Sequence, residues 1–338
     1  MYSISNRRYT GSKYKLLDWI EKLILENCEG EIFFDIFAGT GVVSDRMCKH
    51  YKKVIINDFL YSNEIIYKAF FGTEEFDIKK LNEYKEKFQS LNVNMLKNNY
   101  FSDNFGGKYF SENDARMIGD IRETINGTKK YLLDREYYIL LASLIYSMDK
   151  VANTVGHYDA YRKIDGIKDK FVYELISPYS LSNKFLIYRM DANELVKKVK
   201  ADIAFIDPPY NSRQYSRFYH VLENIAQWKK PILEGTALKP KAENMSDYCR
   251  SNAPKVFDNL IKNLDANYIV VTYNNTYNSK STSSKNKITL EEIKGILNQK
   301  GVTKIYEKKH QCFNAGKTVF EDHKEFVFIT RVEAKNER

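Results

Sequence analysis

The feature that most restricts the fold is a short apolar and aromatic run, EIFFDIF at residues 31–37, which stops at Ala38-Gly39-Thr40-Gly41 before a helical pattern reaching His50. A run of this length, closed by glycines, reads as a buried strand turning into the helix behind it. A second short strand, KVIIND at residues 53–58, and a helical pattern over 62–71 follow. Strand, glycine turn, helix, strand, helix is the opening of a doubly wound α/β sheet. Ahead of it, Leu16, Trp19, Ile20, Leu23 and Ile24 fall on one helix face, with Ser12 placed to cap that helix.

Between residues 72 and 183 the alternation gives way to long helical patterns: FDIKKLNEYKEKF, DARMIGDIRETI and REYYILLASLIYSMDKV. It resumes with the strand KFLIYRMD, the short helix NELVKKV, the strand DIAFID and a helix around 218–228. Then come the β-rich run YIVVTY, the helix TLEEIKGILNQK, and TKIYEKK with KEFVFIT as an antiparallel hairpin. The expected organisation is an α/β core built from residues 1–71 and 184–338 that carries a helical insertion at 72–183.

With 43% apolar residues in 338, the chain has material for a substantial core. No stretch approaches the ~18 consecutive apolar residues of a membrane span, and MYSISNRRYTGSK lacks the apolar segment of a secretory signal. A cytoplasmic protein with no membrane partner is expected. Cys28, Cys48, Cys249 and Cys312 are scattered and have no His at metal-ligand spacing, so reduced cysteines and no metal are expected. Lys and Arg number 53 against 44 acids, a net charge of +9 that suits a polyanionic partner and equally an ordinary basic surface.

Three sites carry the chemical argument. Gly39 and Gly41, where strand meets helix, let a backbone approach a nucleotide-like ligand, or serve only a tight turn. Asp58 ends the second strand, where a carboxylate can accept from both hydroxyls of a ribose, or cap the next helix. Asp207-Pro208-Pro209-Tyr210 follows the apolar strand AFI, and its two prolines hold a rigid extended loop. Such a loop suits an adenine amine, a poor nucleophile because its lone pair is delocalised into the ring. Hydrogen bonds accepted by the Asp207 carboxylate and the Pro208 carbonyl would localise that lone pair toward a methyl donor. The Tyr210 ring could then stack on a base flipped out of its helix.

On these motifs and their order, the chain resembles the DNA N6-adenine methyltransferases of the D12 class, the group that includes the Dam-type enzymes. The resemblance implies a Rossmann-like core dependent on S-adenosylmethionine and methyl transfer to the N6 amine of adenine in double-stranded DNA. Tyr9-Thr10-Gly11-Ser12-Lys13 looks like the family's N-terminal motif, implying that Tyr9 and Lys13 help bind the cofactor. FDIFAGTG looks like the motif on the methionine side, with Asp35, Phe37, Ala38, Gly39, Thr40 and Gly41 as cofactor-binding positions. Asp58 falls at the ribose-binding acid and Asp191 near the cofactor's adenine. Asp207, Pro208, Pro209 and Tyr210 form the catalytic loop, with Asp207 also at the cofactor. NSRQYSRFYH after this loop resembles restriction-associated members more than Dam itself; a cognate restriction endonuclease is a candidate partner whose existence leaves no mark in the sequence.

The family places DNA recognition in a variable segment, and residues 72–183 occupy that place. Within it VANTVGHYDAYRK gathers His157, Tyr158 and Arg162, residue types that contact bases and phosphates. Arg213 and Arg217, beside the catalytic loop, are candidate phosphate clamps. Residues 274–287 hold ten Ser, Thr or Asn with Lys280, Lys285 and Lys287, too little apolar surface to order by itself. This stretch is expected to close over DNA through those lysines, or to remain a solvated surface loop. Two rival readings are an RNA adenine methyltransferase and a cofactor-gated DNA-binding protein that has lost catalysis. Oligomeric state and recognition sequence leave no mark in the sequence.

Overall fold

The computed structural model describes residues 1–164, 166–180, 184–276, 285–309 and 323–333. Its elements begin with α1 (Leu17–Asn27), β1 (Ile32–Asp35), α2 (Val42–Met47), β2 (Lys53–Asn57) and α3 (Tyr61–Phe71). Next come α4 (Ile78–Gln89), α5 (Tyr100–Phe105), α6 (Glu112–Thr128), α7 (Asp134–Val151), β3 (Lys184–Tyr188), α8 (Ala192–Leu195) and β4 (Lys200–Ile206). The remainder holds α9 (Tyr215–Phe218), α10 (His220–Gln227), α11 (Ala253–Asn263), β5 (Asp265–Asn274), α12 (Leu290–Leu297), β6 (Gly301–Lys309) and β7 (Lys324–Val332). The chain packs as two units, one of residues 12–59, 183–214 and 244–338, the other of residues 1–11, 60–182 and 215–243.

The first unit is the sheet. Its seven strands run in the order β3-β2-β1-β4-β5-β7-β6, with β7 antiparallel to both neighbours and the other pairings parallel. Strands covered on both faces need near-continuous apolar runs. Phe33 and Phe34 in β1 and Val54, Ile55 and Ile56 in β2 are accordingly buried. In α1, Leu17, Ile20, Leu23 and Ile24 are buried at helical spacing, and in α11 Phe257, Leu260 and Ile261 join Phe34, Ile55 and Ile269 in one core. Truncating Phe34 to Ala would cost ~3–5 kcal/mol, because the cavity could collapse only in part. Chain order reverses between β1 and β4, and open sheets of this kind present ligand-binding residues at the carboxyl ends of the strands beside such a switch point.

The second unit is helical. Its centre is α7, in which fourteen of eighteen residues are buried, so polar members need internal partners. Ser143 donates to the Ile139 carbonyl at 2.7 Å and accepts from the Ile176 amide at 3.0 Å. Arg135 donates to the carbonyls of Phe70 and Tyr179. Glu223 of α10 accepts from the amides of Tyr61 and Ser62 at 3.1 and 2.8 Å, satisfying donors at the start of α3 that the helix itself leaves without a partner.

The sequence places α3 and residues 215–243 with the sheet, whereas their packing puts them in the helical unit. Periodicity says that α3 is amphipathic but not which layer its apolar face meets; that is set by the packing with α7 and the Glu223 cap. Ser12 is not the cap of α1. The helix starts at Leu17 after a 3₁₀ turn over Tyr14–Leu16, and the Ser12 hydroxyl accepts from the Tyr14 amide at 3.4 Å. Three helices, α5, α9 and α11, have no counterpart among the helical patterns of the sequence. Among the described residues no helix is long and apolar enough to cross a membrane.

Candidate active site

In the sheet unit the glycine loop is fixed from below. Gly39 and Gly41 adopt φ of +53° and +78°, a left-handed backbone that a side chain at either position would strain. The Ala38 amide donates to the Asn57 carbonyl at 2.9 Å, and the Gly39 amide to Oδ2 of Asp58 at 2.9 Å. Thr40 is buried, its hydroxyl 3.5 Å from that of Ser12. Asn57, unnoticed in the sequence, ties three strand ends together. Its Nδ2 donates to the carbonyls of Ile36 and Met190 at 3.1 and 3.2 Å, and its Oδ1 accepts from the Met190 amide at 3.0 Å. The available signal was an Asn closing an apolar strand, since a buried amide must find partners.

Asp35, at the end of β1, is buried; its Oδ2 accepts from the Ser44 hydroxyl at 2.7 Å and its Oδ1 has no hydrogen-bond partner among the described residues. Burial pushes its carboxyl up to about 7 against the opposing Ser44 bond, and the negative charges of Asp207 and Asp58 push the same way.

Asp207 follows β4 and draws three donors onto one oxygen. Lys13 Nζ lies 2.8 Å from Oδ1, the Thr272 hydroxyl donates to it at 2.8 Å, and the Tyr210 hydroxyl at 3.0 Å. Lys13 also donates to the Tyr210 hydroxyl and sits 5.0 Å from the centre of that ring. Burial raises the Asp207 carboxyl above the ordinary carboxylate range, Lys13 and Thr272 pull it back, and the charge of Glu325 pushes it up. The Tyr210 ring meets Tyr273 edge-on, centroids 5.2 Å apart, and the Tyr210 carbonyl accepts from the Lys287 amide at 2.7 Å. Because a carboxylate has two oxygens and these donors share one, Oδ2 is left to accept from a bound N–H group.

The other expected cofactor residues are spread over both units. The Phe37 ring stands edge-on to Tyr248 at 5.0 Å, and the Tyr248 hydroxyl donates to Asn193 Oδ1 at 2.9 Å. Asp191 is exposed and caps α8, accepting from the amides of Asn193 and Glu194 at 2.9 and 3.2 Å. Tyr9 belongs to the helical unit, where its ring stacks with Tyr219 at 4.7 Å and Tyr215 at 5.3 Å.

Of the residues expected at nucleic acid, Tyr158 requires correction. It is 1% exposed, its hydroxyl donates to Asp149 Oδ1 at 2.9 Å and its amide to the Phe218 carbonyl, so it is a core residue with no face to offer DNA. His157 stacks on Phe218 at 4.5 Å, and Arg217 donates to the Pro240 carbonyl. Arg162 and Lys285 are exposed, Arg213 is half-buried, and Lys287 is half-buried with its backbone tied to the catalytic loop. Lys280 lies outside the described residues.

Residues 9–286 match the family described as D12 class N6 adenine-specific DNA methyltransferase. The chain is 31% identical over 332 residues to the type II methyltransferase M.NlaIII of Neisseria lactamica, covering 94% of this chain and 95% of that protein. It is 30% identical over 337 residues to M.CviAII of Paramecium bursaria Chlorella virus 1, covering 96% and 98%. With M.FokI of Planomicrobium okeanokoites the identity is 35% over 324 residues, 88% of this chain but 48% of the relative.

Proposed function

This chain belongs to the D12 class of N6 adenine-specific DNA methyltransferases, and we propose that it takes its methyl group from S-adenosylmethionine and serves as the modification enzyme of a restriction system. The observation that carries the reading is the Asp207 carboxylate, held on one oxygen by Lys13, Tyr210 and Thr272 at the carboxyl edge of the sheet. The restriction role rests on the names of M.NlaIII, M.CviAII and M.FokI, all type II methyltransferases. Recognition of double-stranded DNA is assigned to the helical segment at residues 72–183, which carries Arg162, while Arg213 and Arg217 follow the catalytic loop in the chain as candidate phosphate clamps.

The sheet suits S-adenosylmethionine on the chemistry of its side chains. Asp35, Asp58 and Asp207 bring three carboxylates to the ends of β1, β2 and β4, and Asp35 keeps one buried oxygen unpaired. Such a set fits a ligand with a sulfonium, an ammonium group and a ribose diol. When bound, S-adenosylmethionine supplies an electrophilic methyl group. Asp58 would bind the ribose, the glycine loop with Asp35 and Phe37 the methionine portion, and Asp191 the adenine side.

The remaining work falls to the loop after β4. Oδ2 of Asp207 and the Pro208 carbonyl accept from the target amine and aim its lone pair at the methyl group. The Tyr210 ring stacks on the extruded base, and direct in-line transfer needs no covalent enzyme intermediate. The test is to incubate the protein with labelled S-adenosylmethionine and duplex DNA or RNA, then digest to nucleosides. Label in N6-methyladenine from DNA is expected; label only from RNA, or none, overturns the reading.

A further inference from the structure

The geometry points to Thr272 as a positioning residue: its hydroxyl pins Oδ1 of Asp207 so that Oδ2 is the oxygen presented to the target amine. The assignment rests on Asp207 having the part given to it above. Thr272 is 2% exposed within the buried run Val270, Val271, Thr272, Tyr273 of β5, a place where valine would pack as well. A hydroxyl buried in such a run costs ~1–3 kcal/mol unless it is bonded, and this one donates to Asp207 at 2.8 Å.

Strand register explains the meeting. Ile206 of β4 pairs with Val271 of β5, so the next residue on each strand, Asp207 and Thr272, come side by side. The other two donors to Oδ1, Lys13 and Tyr210, also contact one another, and neither stands on a strand. Thr272 is therefore the anchor that belongs to the rigid sheet, and its branched side chain restricts the hydroxyl to few rotamers. The terminal torsion of an aspartate is broad and two-fold, so without an anchor the two oxygens can exchange places. The charged and titratable groups acting on this carboxylate are Lys13, Glu325, the Tyr210 hydroxyl and Asp35, through its coupling to Asp207.

Single-turnover methylation, S-adenosylmethionine affinity by calorimetry and DNA affinity would be compared for wild type, Thr272→Val, Thr272→Ser and Asp207→Asn. Thr272→Val should slow transfer ~10–100-fold with both affinities unchanged. Its acid limb in the pH–rate profile should move to higher pH, because a bond that favours the ionised carboxylate is gone. Thr272→Ser should restore both rate and limb. A Thr272→Val protein at wild-type rate with an unmoved limb, or equal losses for Val and Ser, overturns the assignment. If Thr272→Val does not fold, Thr272→Ala against Thr272→Ser decides on the same criteria. Wild-type activity in Asp207→Asn would instead overturn the part given to Asp207 itself.

Discussion

The Tyr210 hydroxyl lies 3.0 Å from Oδ1 of Asp207, so the ring expected to stack on a base is also bonded to the acid beside it. From sequence, Tyr210→Phe should be mild, because stacking uses only the ring face. The structure changes that expectation.

Tyr210→Phe should slow single-turnover methylation ~10-fold or more, since a hydrogen bond to a charged partner contributes ~1.5–3 kcal/mol. Tyr210→Ala should be slower still, losing in addition ~1–3 kcal/mol of base stacking. A Phe variant at the wild-type rate would remove the hydroxyl from the account, and equal losses for both variants would remove the stacking.

Stability should depend on pH through Asp35. Its folded pKa of about 7 lies above the ordinary value near 4, so between these the folded protein holds a proton that the unfolded chain has released. Folding stability from this group is therefore present below pH ~4 and lost as pH rises toward about 7. Asp35→Asn removes the ionisable group yet keeps an acceptor for Ser44. Thermal unfolding should show the variant gaining on wild type from pH 5 to pH 8; a gap that stays constant across that range contradicts the raised pKa.

Strands β1 to β5 were legible because each carries a short apolar run, and the glycine loop, Asp58 and the Asp207 loop were legible because they end such runs. What was not legible is convergence. Asp207 and Thr272 meet because β4 and β5 are neighbours in a given register, and Lys13 joins them from a distant part of the chain, which no local pattern encodes. Tyr158 misled for a related reason: its neighbours are polar, yet its hydroxyl has a buried partner in Asp149 on a helix. At residues 274–287 composition predicted a segment unable to order itself. Its described ends are held by an amide cluster in which Asn286 Nδ2 donates to the Asn274 carbonyl at 2.8 Å and Thr276 donates to Asn286 Oδ1 at 2.6 Å. Residues 277–284 lie outside the described residues.

Replacing Lys280, Lys285 and Lys287 together by Gln should weaken binding to every duplex sequence alike. The slope of log affinity against log salt should flatten by about two to three units, near one for each phosphate that is no longer neutralised. S-adenosylmethionine affinity should not change. A salt plot that overlays wild type would leave these lysines as solvated surface charge.

Whether Asp207 acts on the target amine is read from single-turnover methylation by Asp207→Asn, beside its calorimetric cofactor affinity. Asparagine keeps the shape of the side chain and one acceptor oxygen near Lys13, while removing the negative charge and turning one oxygen into a donor. The expected rate is lower by ~10²–10³, the usual cost of losing one preorganised group at a reacting centre, with S-adenosylmethionine still bound nearly as tightly as by wild type. A variant that keeps more than half the wild-type rate, or one whose slow rate follows wholly from lost cofactor binding, would contradict that role for Asp207.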